Sequence, residues 1–220
     1  TFASHTGQVT AYAGTSPTSL GNGAAAGTVY LREYGQAEDQ GVLIVDDNLW
    51  YRPRTTLLGM NVSGKAVGEI HIRQYAFVQL DDNESLAVER VWSNGAGFAG
   101  NPGSTVRFVG AGPATVYGSS NQFHHLDISA AAKPVHFEAG GTNVVRGNPT
   151  FDNYVTLDST TPGAWWYLTV VGTGSVQVAR VNARDSNAGG GKTIMTTGGS
   201  DLGHNVNWNF APSGVIVIVR

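Results

Sequence analysis

Residues 123–138, Phe123-His124-His125-Leu126-Asp127-Ile128-Ser129-Ala130-Ala131-Ala132-Lys133-Pro134-Val135-His136-Phe137-Glu138, place two short strands on either side of a small-residue corner. Successive side chains of a strand point to opposite faces, so Val135 and Phe137 share one side while His136 takes the other. The same alternation returns in Glu69-Ile70-His71-Ile72-Arg73 and in Thr105-Val106-Arg107-Phe108. Further strand candidates are Thr28 to Arg32, Val42 to Val45, Phe77 to Leu80, Leu86 to Trp92, Tyr154 to Leu157, Trp165 to Val171, Ser175 to Ala183 and Val206 to Phe210. A helical apolar period of about 3.6 residues is nearly missing, because Gly, Pro or a β-branched cluster interrupts almost every window that would carry it. The chain therefore reads as all-β.

Composition agrees with many corners. Hydrophobic residues make up 41% of the 220 positions and charged residues 13%, about half the ~25% usual in a soluble domain. The surface must then rest on Thr, Ser, Asn and Gly. The 30 Gly residues are dispersed between apolar runs, where the chain must turn and φ is in places positive. Strands recur about every ten residues, which fits a sandwich or a solenoid. Asn-Gly and Asp-Gly pairs, which antiparallel hairpins use often, are scarce, and this tilts the reading toward a solenoid whose strands pass from sheet to sheet.

Several classes of partner are set aside on composition. The net charge is −3, with 13 basic residues scattered along the chain, so there is no electrostatic footprint for nucleic acid. With 0 cysteines, disulfides, thiolate metal sites and cysteine nucleophiles are excluded. No run reaches the length of a membrane span. Thr1 is not preceded by a leader pattern, which reads as a processed form or an excerpt of a longer chain.

From Asn121 onward a set of segments follows in a definite order. They are Phe123 to Ile128, Lys133-Pro134-Val135-His136-Phe137, Val155-Thr156-Leu157-Asp158-Ser159-Thr160-Thr161-Pro162-Gly163, Trp165-Trp166, Val181 to Asn187, and Asn205-Val206-Asn207-Trp208-Asn209-Phe210. This order resembles a repeat region of large secreted bacterial surface proteins, the pectin-lyase-like right-handed parallel β-helices of the adhesin and passenger kind. The resemblance implies a right-handed parallel β-helix at the cell surface or outside the cell, and it brings no catalytic residues or ligand. The expected organisation is a single domain: residues 1–26 as an arm or cap, 27–210 as the β-solenoid, and 211–220 as an apolar terminal strand.

That last strand, Val215-Ile216-Val217-Ile218-Val219, is apolar on both faces and must be covered on both. It either folds back to cap its own solenoid or completes a neighbouring copy, giving an open polymer. Asp81-Asp82-Asn83-Glu84 is the densest acidic cluster, and Asp46-Asp47-Asn48 is next. Hard oxygens at such spacing could hold Ca²⁺, but the loop lacks the Gly and final Glu of an EF-hand, so a solvated turn is the expectation and no cofactor is required. Asp185-Ser186-Asn187 reads as an Asx corner.

His124 and His125 cannot both point inward from one regular strand, and no zinc-ligand spacing surrounds them. They read as surface residues near a corner, as do the isolated His71, His136 and His204. Asp127, Glu138, Asp152 and Asp158 fall in nearby coils and could line an enzymatic groove, although acids on an outer strand face usually serve solubility. Trp165-Trp166-Tyr167 puts rings on both faces of one strand, so Trp165 or Tyr167 could serve a glycan or an interface. The leading expectation is a non-enzymatic extracellular filament subunit or adhesive segment whose partner is a second copy of itself. The alternatives are a carbohydrate-binding module and a polysaccharide-active enzyme.

Overall fold

Short strands with one apolar face can bury it only against others like themselves, and here they do so by winding into a coil. The computed structural model describes residues 25–47, 54–60, 62–172 and 176–211, and these form a parallel β-solenoid of about six turns. The expected arm up to residue 24 and the strand Val215–Val219 lie outside the described residues.

One turn shows the plan. Strands β8 (Thr105–Phe108), β9 (Ala114–Tyr117) and β10 (Asn121–Phe123) form its three sides, and β11 (His125–Ile128), β12 (Pro134–Phe137) and β13 (Thr142–Val145) form the next. Each strand pairs in parallel with its counterpart, as in Val106↔Leu126, Val116↔Phe137 and Phe123↔Val145. Two earlier strands, β4 (Lys65–Arg73) and β6 (Ser85–Asn94), each run across two sides without a break. Their pairing shifts register between Val67 and Glu69. Gly68 stands at that shift because a Cβ there would lie 2.3 Å from the Gln40 carbonyl oxygen. Two sides are thereby joined into a 13-stranded sheet, and the third is a 7-stranded sheet.

The ends differ from the middle. At the N-terminal end β1 (Gly27–Leu31) runs antiparallel to β2 (Val42–Asp46), so the first rung is a hairpin rather than a coil. Beyond β14 (Pro149–Phe151), β15 (Val155–Ser159) and β16 (Trp166–Val170), the turns shorten through β17 (Val176–Ala183), β18 (Ser186–Asn187) and β19 (Ile194–Asp201). The last described strand, β20 (Trp208–Ala211), pairs Trp208 with Ile194, fourteen residues back, whereas Val155 pairs with Val181, twenty-six residues on.

In-register stacking turns each inward position into a column. Ile70, Trp92, Phe98, Phe123, Val135, Phe137 and Trp166 are all fully buried, each worth about 1.5–3 kcal/mol of burial. Trp92 meets Phe98 edge-on at 4.7 Å, and Phe137 lies flat on Trp166 at 4.1 Å. Polar groups also enter the interior, and the amides and the ammonium group there are bonded. Asn121 Oδ1 accepts from Trp92 Nε1 at 2.8 Å and from Asn94 Nδ2 at 2.9 Å, while its Nδ2 donates to Asn143 Oδ1 at 3.0 Å. Asn94, Asn121 and Asn143 thus form an amide ladder through three successive turns, the kind of stack parallel rungs favour. Lys133, also fully buried, donates its three ammonium protons to the carbonyls of Glu89 (2.9 Å), Gly110 (3.2 Å) and Gly112 (2.7 Å). Burial holds its pKa below the usual lysine value.

Removing the centre of the ladder strips partners from Trp92, Asn94 and Asn143 together. Asn121→Ala is expected to destabilise the domain by about 2–4 kcal/mol, at ~1–3 kcal/mol per orphaned group. Urea unfolding followed by tryptophan fluorescence measures this, and a loss below about 0.5 kcal/mol would mean that the ladder carries no stability.

Candidate functional site

Charge is sorted among the outer faces. On the larger sheet the outward positions include Glu69, Arg107, Asp127, His136, Asp158 and Arg180. The smaller sheet is built from β3 (Thr55–Leu58), β5 (Phe77–Leu80), β7 (Gly97–Gly100), β10, β13, β16 and β18. One of its outward columns runs Leu57, Gln79, Ala99, Gln122, Val144, Thr169. Beside it lie Thr55, Phe77 and Gly97 at one end and Thr142, Tyr167 and Asn187 at the other. None of these outward positions holds an acidic or basic residue.

A polar row crosses the larger sheet toward its corner. Register places His136 opposite Asp158, and His136 Nδ1 lies 2.5 Å from Asp158 Oδ1. Arg184 Nη2 donates to Asp158 Oδ2 at 3.2 Å, and its Nε stands 3.9 Å from Asp185 Oδ2. His204 Nδ1 lies 2.8 Å from Asp185 Oδ1, and its ring stacks on Trp165 at 4.8 Å. Both carboxylates are nearly buried, with side chains 9% and 3% exposed. Asp185 has a φ of 57° and also accepts the Gly163 N–H at 3.0 Å. His136 and His204 are therefore not isolated as the sequence suggests, and Asp185 stands at its corner as a buried anchor. His71 likewise meets Glu69 at 3.1 Å. The pairs made by His136 and His204 join residues about twenty positions apart, so only the register reveals them.

Two histidine–aspartate pairs could orient bases. Among the described residues neither imidazole is hydrogen-bonded to a hydroxyl. The four acids considered for a groove do not converge. Asp127 faces Arg107 at 3.5 Å, and Glu138 Oε2 accepts the Gly118 N–H at 2.6 Å. Asp152 is clamped by Arg180 through 2.7 and 2.8 Å bonds, which hold its pKa below the usual carboxylate value. Asp158 belongs to the polar row.

The acidic cluster Asp81 to Glu84 closes a turn, with Asp81 Oδ1 accepting the Asp82 N–H at 2.9 Å and Asn83 at a φ of 60°. Among the described residues, no group of three or more His, Cys, Asp or Glu is gathered to hold a metal ion. Asp47 is different: it is 1% exposed, and among the described residues neither carboxylate oxygen has a hydrogen-bond partner. Burial, and then the neighbouring Asp46, push its pKa up. Asn48 lies outside the described residues.

Where the strand expected over Phe123 to Ile128 breaks into β10 and β11, His124 takes the corner and meets the His125 ring edge-on at 4.4 Å. His124 Nδ1 accepts the Gly103 N–H at 3.2 Å, and His125 Nδ1 accepts that of Asn148 at 3.1 Å. A neutral imidazole that accepts at Nδ1 carries its proton on Nε2, so His124 offers no free lone pair to a metal, while His125 Nδ1 also lies 3.3 Å from the Asn148 carbonyl oxygen. Burial, and then His125, lower the His124 pKa.

Trp165 and Tyr167 are each 37% exposed, while Trp166 between them is fully buried. One face of Trp165 is covered by His204; Tyr167 stands on the uncharged sheet. At the C-terminal end, Trp208 and Phe210 turn inward but stay half-buried, with rings 5.8 Å apart. Asn205 and Asn207 fasten this rung, donating to the carbonyls of Ala183 (2.7 Å) and Ala188 (3.0 Å). Among the described residues, no helix is long and apolar enough to cross a membrane.

Two pH effects follow. Asp47 has a raised folded pKa, so its favourable contribution is complete below its unfolded value near 3.8 and is lost as pH rises through the folded value. Asp47→Asn is expected to stabilise the domain at pH 7 by about 1 kcal/mol, with the difference shrinking at pH 4 in paired urea titrations. His124 has a lowered pKa, so its contribution is complete above the unfolded value of 6.5 and is lost as pH falls through the folded value. His124→Gln is expected to flatten the acid side of the stability–pH curve, and an unchanged slope would contradict this.

No protein-family model matches the chain, and neither a curated protein nor a solved structure is similar enough to count as a relative.

Proposed function

We propose that the chain is a non-enzymatic structural element of a bacterial surface or extracellular assembly, of the adhesin or passenger kind, that joins end to end with a second copy of itself. The observation that carries this reading is the C-terminal rung. In inner turns the inward residues are fully buried, whereas Trp208 and Phe210 remain half-buried, and Leu202 and Val206 of the same turn are 46% and 37% exposed. Among the described residues no strand pairs with the far edge of β20, and such an edge presents backbone groups ready to pair with another strand. The apolar run Val215–Val219 suits that role, because a strand with two apolar faces is satisfied between stacked rungs.

Deleting residues 214–220 is expected to leave the circular dichroism spectrum unchanged and to abolish higher-order species in light scattering and electron microscopy. Phe210→Glu, an independent change to the same rung, is expected to do the same. Assembly that persists in both variants, or a full chain that stays monomeric at all concentrations, would overturn the proposal.

A further inference from the structure

The smaller sheet offers a surface that the end-to-end reading does not use. Its outward side chains are amides, hydroxyls, small residues and a few apolar groups, while the charges of the described residues lie on the other sides and at the rim. We infer that this face binds a neutral polysaccharide chain lying along the solenoid axis.

The chemistry of the face selects that occupant. Without charge on the face, an anionic or cationic polymer gains nothing there over water. Parallel stacking repeats the polar groups of Gln79, Gln122 and Thr169 along one column at multiples of about 4.8 Å, which suits an extended polymer bearing a hydroxyl-rich repeat. Rings stand toward both ends. Tyr167 is 37% exposed, and Phe77 lies over Gly97, where a Cβ would come within 2.6 Å of its ring. Aromatic faces pack against the apolar faces of sugar rings, and the intervening Ala99 keeps the middle low. Arg146 closes the rim by donating to Gln122 Oε1 at 2.5 Å, which leaves the Gln122 amide N–H groups for a ligand. A second copy of the chain is a poorer fit. Seven strands with two outward residues each make a patch of roughly 350 Å², well under the ~800 Å² per partner of a stable interface.

The test is retention of the purified full chain by insoluble cellulose, chitin and xylan, with pectate as the acidic comparison, at low and high NaCl. The expected result is binding to at least one neutral polymer that is insensitive to salt. Tyr167→Ala should weaken it about five- to tenfold, the loss expected for one aromatic contact, and Gln79→Lys should weaken it while the circular dichroism spectrum stays unchanged. Absence of retention on every neutral polymer would overturn the inference, as would salt-sensitive binding to pectate alone or binding unaffected by both substitutions. A change of oligomeric state on Val144→Glu would instead assign the face to a second copy. Because both binding variants lie away from residues 202–220, failure here leaves end-to-end assembly standing, and the reverse also holds.

Discussion

The solenoid depends on what happens to polar groups at its inner corners. Three strands per turn can bury their apolar faces only if the chain bends twice or more between them, and each bend turns backbone groups toward a dry interior. Asn94, Asn121 and Asn143 meet that requirement by bonding to one another and to the corner backbone, including Asn94 Nδ2 to the Ser120 carbonyl at 3.2 Å and Asn121 Nδ2 to the Gly118 carbonyl at 3.3 Å. Gly118 is bound into the same device. Its φ is 102°, and a Cβ there would sit 2.0 Å from the Asn94 carbonyl oxygen. Lys133 solves the matching problem elsewhere, with a long side chain that reaches carbonyls of two preceding turns. A sandwich of two sheets would have no use for either arrangement.

Once the rungs are in register, every outward position also becomes a column, and the outer faces acquire distinct characters. Two sides join acids to bases across neighbouring turns, as in His136–Asp158–Arg184. These contacts brace the rungs laterally and are partly screened by water where they are exposed. On the third side the outward strand positions hold no charged residue, and Arg146 stands at the rim. On the proposed reading, that division gives one short module an end for stacking and a side for contact, both drawn from the same backbone repeat.

The sequence shows some of this and hides the rest, for physical reasons. Alternation in Glu69–Arg73 and Pro134–Phe137 gives strands because one face of each is apolar. It fails at β7, whose Gly-Phe-Ala-Gly has a single large residue, and at β13, where inward Asn143 replaces the apolar residue that the pattern requires. The scarcity of hairpin turns correctly points to parallel winding, but β1 and β2 pair antiparallel across a longer connection with a short 3-10 turn at Glu38–Gln40. Lys133 gives no sign in sequence that it is buried, since its partners are backbone carbonyls that only the fold assembles. His136 and His204 look solitary because their aspartates are supplied by other turns. Trp165 and Tyr167 stand on the outside as the alternation around Trp166 requires, and the imidazole covering Trp165 comes from a distant corner. The uncharged side is present in the sequence as scattered Gln, Thr and Gly, but only register collects them.

The register of parallel rungs is the claim on which the ladder, the open end and the uncharged face all rest. The chain has 0 cysteines, so spin labels attach only where cysteines are introduced. Pairs at 79 and 144, 79 and 169, and 57 and 169 are separated by three, four and five rungs. Electron–electron dipolar spectroscopy should give distances rising by about 4.8 Å per rung, near 14, 19 and 24 Å before label length is added. Distances that do not increase in that order, or that place residues 57 and 169 within neighbouring-strand range, would contradict the solenoid.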